Sequence, residues 1–449
     1  MNFELRTPRY AIATLLMTAI ANSAEGQSSP SIRRTDWSLE QVISATAHHP
    51  LVAAAQAGLD AARGSRKTAG VLPNPVAAYL VENAPFPGAR AQSGLIRETS
   101  TTLTLPIEPL YQRGPKVRQA DEEIRAAESE IVTIRRAVAL EAARTFYRAA
   151  LAQFALQAAV ENREGLGRLM SYNEKRVVEG ASPEGDLLRV RLERDRAATQ
   201  AVLAEVELAR AKAALRPFLS PLGDSESLDS LRVNAVIGAS MAAPPELSAL
   251  VMRARQCRPE LVTARARVAA AGAQTSFQQA LTIRQVGATF GQKRVGSETS
   301  MIAGLSIPLP IFDRNRGEVQ RASAERRAAE KNLEWAERRI TSELAGARQA
   351  VTLVSAEVAR LGSSFLARAD EIRRITVAAY EDGAASLLQV LDASRALNEA
   401  RLGYYRTVFE EQQNVLELSV ASGAEPGLSF TDPSSAAGCV VRDGGVRAN

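Results

Sequence analysis

The chain has 449 residues, enough for two or three ordinary domains, with 46% hydrophobic residues but only 5% aromatic ones. An apolar fraction made mostly of Ala, Leu and Val beside 23% charged residues points to long helices packed through small side chains and not to a thick globular core. The net charge of +5 is spread over interleaved basic and acidic residues, as in "AERRAAEKNLEWAERR", which describes solvated helix faces and, with no compact basic patch, speaks against nucleic acid as a partner.

Arg6 and Arg9 precede the apolar run from Ala11 to Ala21, and small residues follow at Ala19, Ala21 and Ala24. This is the layout of a secretory signal peptide over residues 1–24, with a buried helix of the mature protein as the competing assignment. The run is too short to span a bilayer, and no later window approaches eighteen apolar residues. An exported chain without a transmembrane helix is expected.

Ser38, with Gln41 three residues on, predicts a capping box and a helix to about Ala69, ended by Gly70 and Pro73. His48 and His49 are the only histidines; adjacent on a helix they point apart, and no ligand cluster joins them, so a solvated pair is expected and no metal or cofactor. Strands follow at Val76–Glu82 and Glu98–Pro106. A long helical run spans Gly114 to Gly180, with Ile124, Ile131 and Val138 at a seven-residue step, and a shorter helix runs from Asp186 to Arg216. The second half offers a helix from Glu246 to Ala280, strands at Ile283–Gln292 and Thr299–Pro308, and a second long run. Cys257 and Cys439 are the only cysteines, one in a predicted helix and one in a tail expected to be disordered, so no structural disulfide is expected.

Compared with itself, the chain repeats. "HHPLVAAAQAGLDAARG" lines up with "CRPELVTARARVAAAGA", and "TLTLPIEPLYQRGPKVRQADEEIRAAE" with "GLSIPLPIFDRNRGEVQRASAERRAAE". A spacing of 66 residues separates Gly114 from Gly180 and again Gly317 from Gly383. The expected organisation is a first repeat at 36–217, a linker at 218–245, a second repeat at 246–422 and a tail at 423–449. A helix of this length spans about 100 Å and must lie against partners as long as itself. Met301, Ala303, Leu305 and Ile307 share one strand face, which suits either a transmembrane barrel wall or a sheet lying on a helical core. In lipid, four strands cannot close a barrel and open edges are not tolerated, whereas three copies supply twelve strands. At the second strand-to-helix junction, Pro308 and Pro310 end the ladder, as Pro106 does in the first half, Asp313 and Asn315 suit the turn, and Gly317 is expected to free the chain for the helix start.

The duplicated plan, the junction "PLPIFDRNRGE", the first helix "SLEQVISATAHHP" and the segment "YEDGAASLLQVLDASRALNEA" resemble the TolC family of outer membrane efflux proteins. The junction is most similar to members serving heavy-metal efflux of the cobalt-zinc-cadmium and copper-silver type. The resemblance covers roughly Trp37 to Ser422. It implies a mainly α fold with a small β part: a homotrimer whose strands form a 12-stranded outer membrane barrel, continued by an α-helical tunnel across the periplasm. The implied partners are a periplasmic adaptor, an inner-membrane pump of the RND type and outer membrane lipid.

By the same resemblance, function lies at the periplasmic tip, at the turns around Gly180 and Gly383. Tyr380 matches the family's gate tyrosine, Asp392 an aspartate whose three copies ring the constriction, and Asp186 an acidic partner on the neighbouring hairpin. Ala385 stands where the family has a gate arginine, and Gln389 where a second acidic ring is found. Read from the residues alone, Asp186 is a helix cap and Asp392 a solvated helix residue. The leading function is a passive exit duct of a tripartite exporter. An exported periplasmic coiled-coil adaptor or structural protein is the alternative, though it does not need matched strand pairs in both halves. No Ser/His/Asp set, metal spacing or phosphate loop supports an enzyme.

Overall fold

The computed structural model describes residues 35–88, 94–219, 231–235, 243–362 and 364–424. The expected signal peptide, most of the 218–245 linker and the tail beyond residue 424 lie outside the described residues.

Ser38 caps the first helix, α1 (Leu39–Ala45), through the predicted capping box: its hydroxyl accepts the Gln41 N–H while the Gln41 side chain accepts the Ser38 N–H. The single helix expected to Ala69 is broken, however. After a short 3₁₀ turn, α2 (Pro50–Gly70) starts afresh, because Pro50 has no N–H to donate and disfavours helical geometry in the residue before it. His49 is that residue. It takes an extended conformation, its Nδ1 accepts the Leu51 N–H, and its ring stacks on Phe218 at 5.6 Å, so it is a cap and not a freely solvated side chain.

The second half breaks at the corresponding place, for the same reason. The expected Glu246–Ala280 helix is α5 (Leu247–Cys257) and α6 (Pro259–Ala280), separated by extended Arg258 ahead of Pro259. Cys257 is disulfide-bonded, contrary to the expectation from sequence; the one other cysteine, Cys439, lies outside the described residues.

The first long run is a single helix, α3 (Pro109–Val178), of 70 residues. It begins before Gly114, which lies within it. The second run, expected to match it, is divided into α7 (Arg316–Leu361) and α8 (Ser364–Glu381) with a bend of 41°. Gly362 ends α7 with φ +58°, a left-handed conformation that costs glycine little. The return helices are α4 (Glu184–Leu215) and α9 (Leu387–Ala421). Alanine dominates where they meet: Ala139, Ala142, Ala143, Ala149 and Ala150 of α3 are buried around Phe146, and so small a side chain lets backbones approach closely. Of the seven-residue seam, Val138 is buried and Ile124 and Ile131 are half-buried.

Two short strands, β1 (Thr35–Trp37) and β4 (Leu231–Val233), pair in parallel beside the middle of α3. Gln153 of α3 holds β4 there, donating to the Val233 carbonyl and accepting the Val233 N–H. Nearby, Arg136 is buried and donates to the Val420 and Ala424 carbonyls at the end of α9, which satisfies groups a helix terminus otherwise leaves unpaired.

The second sheet is antiparallel, in the order β2 (Val76–Glu82), β3 (Glu98–Pro106), β5 (Gly287–Val295), β6 (Glu298–Ser306). β5 and β6 lie closer to their shared turn than the pattern of apolar residues suggests. That turn is a two-residue loop opened by Gly296 at φ +58°, a tight connection that suits glycine in first place, and Pro308 cannot extend the ladder behind Ser306. Exposure alternates along the central strands. Thr102, Thr104, Thr289 and Lys293 are on the crowded face, where Lys293 pairs with Glu98, and Leu103, Leu105 and Phe290 are on the open one. β2 and β6 each have one edge unpaired among the described residues.

At the second junction the conformational freedom expected of Gly317 falls to Asn315. Gly317 is helical, whereas Asn315, at φ +56°, turns the chain into α7 and is buried, donating to the Gln278 carbonyl at 2.6 Å while its N–H reaches Asp313 at 2.9 Å. Asparagine tolerates the left-handed region better than other residues with a β-carbon.

Gly291 marks where β5 and β3 run closest: an added Cβ would lie 2.2 Å from the Thr101 carbonyl oxygen. Gly291→Ala is expected to destabilise the folded protein by about 1–3 kcal/mol or more through overpacking against backbone, whereas Gly304→Ala on β6, where the added carbon meets nothing within 4 Å, is expected to be near neutral. Thermal unfolding of both variants in detergent measures the difference; equal melting temperatures would refute the close-approach account.

Candidate functional site

The two helical hairpins turn in the same way. At the end of α3 the Gly180 N–H donates to the Val177 carbonyl and the Ala181 N–H to the Arg176 carbonyl; after α8 the Gly383 N–H donates to Tyr380 and the Ala384 N–H to Ala379. Both glycines have positive φ, +71° and +78°, as this paired closure of a helix end requires. The following caps differ. α9 opens with a capping box between Ser386 and Gln389, whereas α4 opens behind extended Pro183 with no side-chain cap.

This geometry places Gln389 at once. Its N–H donates to the Ser386 hydroxyl and its Oε1 accepts the Ser386 N–H at 2.8 Å, so its amide is engaged in starting α9. Asp186 is not the cap of α4, a position Pro183 occupies; it sits in the first turn, where its carboxylate suits the positive helix end and lies 3.5 Å from Arg189.

Tyr380, the penultimate residue of α8, is 5% exposed. It packs with Leu166, Leu169, Val190 and Leu391, so that all four tip helices meet around it. Its hydroxyl donates to Asn173 Oδ1 at 2.6 Å, and Asn173, fully buried, donates in turn to the Leu169 carbonyl. The Arg176 guanidinium lies 5.4 Å from the Tyr380 ring centre and 5.7 Å from that of Tyr172, a cation–π arrangement, and also donates to the Ala181 carbonyl in the turn. Burial pushes the Tyr380 phenol above its ordinary range; Arg176 and the bond to Asn173 oppose that shift, and Asp186 adds to it. Tyr380 and Asp186 are thus within electrostatic reach of each other.

Asp392 lies one turn into α9 on its exposed side. Arg395, the next residue along that side, forks onto Glu193 of α4, with nitrogens 2.5 and 3.3 Å from the two carboxylate oxygens. Hydrogen bonding to Arg395 holds the Glu193 carboxyl below the usual carboxylate range. Glu161 of α3 meets Arg401 of α9 further along at 2.6 Å. These cross-hairpin pairs, with Asn173 and Arg176, are absent from the residues picked out by sequence. Only Arg176 left a signal there, the i, i+4 spacing from Tyr172. Ala385 is half-buried and offers no charge. Pro106 ends β3 opposite Gly287, and Pro308 and Pro310 follow β6 at the other end of the molecule's helical hairpins. Among the described residues no group of three or more His, Cys, Asp or Glu is placed to hold a metal ion.

Residues 250–424 match the family model described as outer membrane efflux protein. The chain is 26% identical over 361 residues to the cobalt-zinc-cadmium resistance protein CzcC of Cupriavidus metallidurans, covering 79% of this chain and 82% of that protein. Its fold is similar to a crystal structure of CusC, with a TM-score of 0.71 at 20% identity, covering 89% of this chain and 95% of that one. It is also similar to the CmeC outer membrane channel of Campylobacter jejuni, with a TM-score of 0.75 at 16% identity and 96% of each chain covered. The family match falls on the second half, and the first half repeats its order of helix, strand pair and long hairpin. Matched family segment, relatives aligned over most of their length and a shared fold agree: the chain resembles outer membrane efflux proteins in residues 250–424 and shares the fold of solved outer membrane channels.

Proposed function

We propose that the protein is the passive exit duct of a tripartite efflux system, acting as a homotrimer with a periplasmic adaptor and an inner-membrane RND pump and carrying out no catalysis. The observation that carries this is the β2-β3-β5-β6 sheet: four strands whose open face carries most of the large apolar side chains and whose other face is rich in threonine and serine, with two edges unpaired among the described residues. Lipid does not tolerate unpaired edges, so the sheet must join others into a closed barrel, and three copies supply twelve strands. The threonine-rich face with its Lys293–Glu98 pair then lines the lumen, and Leu103, Leu105, Phe290 and Met301 meet lipid. We take 36–217 and 246–422 as the two structural repeats, the second differing from the first by the bend at Gly362.

In this assembly the paired turns at Gly180 and Gly383 form the periplasmic end. Tyr380, Asn173 and Arg176 hold the two hairpins of one protomer together, with Asp186 within electrostatic reach of Tyr380, and Asp392, exposed in a single chain, faces the axis. Three carboxylates around a narrow opening favour cations. CzcC is named for resistance to cobalt, zinc and cadmium, and we take a divalent metal ion as the passenger, passing without a resident site. Gln389, bound in its capping box, contributes helix-start stability and no second charged ring.

Two measurements test this. In planar bilayers the purified protein is expected to open small cation-selective conductances, and Asp392→Ala to enlarge them and reduce the selectivity; a soluble monomer that never inserts would sink the duct. Tyr380→Phe removes the hydroxyl that donates to Asn173 Oδ1 and leaves a buried acceptor without that partner, a loss of about 1–3 kcal/mol at the tip. More frequent openings at unchanged ion selectivity are expected; a closed probability equal to wild type would remove Tyr380 from the gate.

A further inference from the structure

Besides scattered helix positions and the loop between β2 and β3 at the far end of the sheet, with Phe86, Leu95 and Ile96, large apolar side chains are bare in two places among the described residues. Those on the open face of the β2-β3-β5-β6 sheet belong to the barrel wall. The others gather where strands become helices. The strand register brings Val76, Pro106, Gly287 and Ser306 to one end of the sheet, so all four connections to the helices run along a single rim. On that rim Phe312 is 99% exposed, Leu110 86% and Leu309 74%. The apolar alternation of β6 continues beyond its last paired residue through Ile307, Leu309 and Ile311, with no partner strand to cover it.

Cations flank these residues. Arg113 and Lys116 stand in the first turns of α3, and Arg314 and Arg316 at the start of α7; all four are exposed. Lys116 and Arg316 have no hydrogen-bond or ion-pair partner among the described residues. Arg113 and Arg314 reach only the main-chain carbonyls of Gly70 and Pro310, which leaves their charges unneutralised. The neighbouring carboxylates have other partners: Asp313 accepts the Asn315 N–H at 2.9 Å and lies 3.9 Å from Arg284, Glu318 pairs with Arg321 at 2.7 Å, and a Glu108 oxygen is buried.

Bare apolar groups beside unpaired cations match the boundary between acyl chains and headgroups, where the apolar part enters the bilayer edge and the charges meet phosphate. The rim is continuous with the lipid-facing side of the sheet and lies on its helical, periplasmic end. We propose that this rim is seated in the periplasmic leaflet of the outer membrane and binds anionic phospholipid headgroups through Arg113, Lys116, Arg314 and Arg316. A zwitterionic headgroup brings its own ammonium and is disfavoured beside four cations; an anionic one is not. This rests on the barrel assignment above.

The test uses the full chain carrying Phe312→Trp, reconstituted into phosphatidylcholine vesicles with a minor fraction of brominated lipid bearing either a phosphatidylglycerol or a phosphatidylcholine headgroup. The spectrum of the unsubstituted protein is subtracted to remove the native tryptophans. Brominated phosphatidylglycerol is expected to quench the reporter at least about threefold more strongly than brominated phosphatidylcholine, and the ratio to fall toward one in Arg314→Gln/Arg316→Gln and at high salt. Equal quenching by both lipids overturns the headgroup preference. No quenching in protein that floats with the vesicles overturns the seating itself and means that the rim is covered by a neighbouring copy. Protein that does not float with vesicles at all overturns the barrel assignment along with it, which separates the two failures.

Discussion

A strand edge in lipid has nowhere to place its N–H and C=O groups. The four-stranded sheet has two unpaired edges among the described residues and large apolar side chains on one face, and in the proposed duct most of the molecule can be understood as the consequence of that one requirement. There the edges are met by further copies of the chain. Each strand pair hands over to a long helix, so a sheet closed into a barrel in that assembly would commit the helices to a cylinder below it. The junctions must then turn sharply in little space, and the buried side chain of Asn315, bonded to Gln278 and Asp313, carries that turn in the second half.

The helical part solves a different problem. A helix of 70 residues cannot be stabilised by a globular core, because no core is that long. It is stabilised instead by side-by-side contact along its length, with buried alanines admitting neighbours closely and with short helices laid end to end against it. Packing of this kind is uniform and easily slid, and polar contacts of fixed geometry set the register: Gln153 on β4, Arg136 on the end of α9, Glu193 on Arg395 and Glu161 on Arg401. Buried or forked onto partners, these bonds fix relative position more than they add stability.

The two halves are alike in order and unlike at the places where motion would matter. α3 is continuous, whereas its counterpart bends at Gly362 before reaching the tip. The turns after α3 and α8 are equal in length, 179–183 and 382–386, but Ser386 caps α9 with its side chain where Pro183 offers none, and Asp186 stands in the first half where Gln389 closes the capping box in the second. Tyr380 sits on the bent side and bonds to Asn173 on the straight side. In the proposed duct, the gate is thus a contact between a rigid hairpin and a jointed one.

Periodicity, capping residues and the internal repeat determined much of this protein without coordinates: the capping box at Ser38, the positions of β2 and β3, the first long helix and the glycine turns. These depend on local chemistry or on spacing, both of which sequence carries directly. Tertiary structure decided the rest. His49 and Arg258 interrupt helices because a proline follows each, an effect visible in sequence but outweighed there by strong helical pattern on both sides. Asn315, expected in the turn, also takes the left-handed conformation expected of Gly317, held there by a side chain that bonds to Gln278, 37 residues away. Gln389 was drawn into a cap, and Arg395, Asn173 and Arg176 gained their roles only by facing residues about 200 positions distant or across a turn. A polar side chain on a long helix has the same local surroundings whether it ends in water or against a neighbour, and only the packing of the helices distinguishes the two.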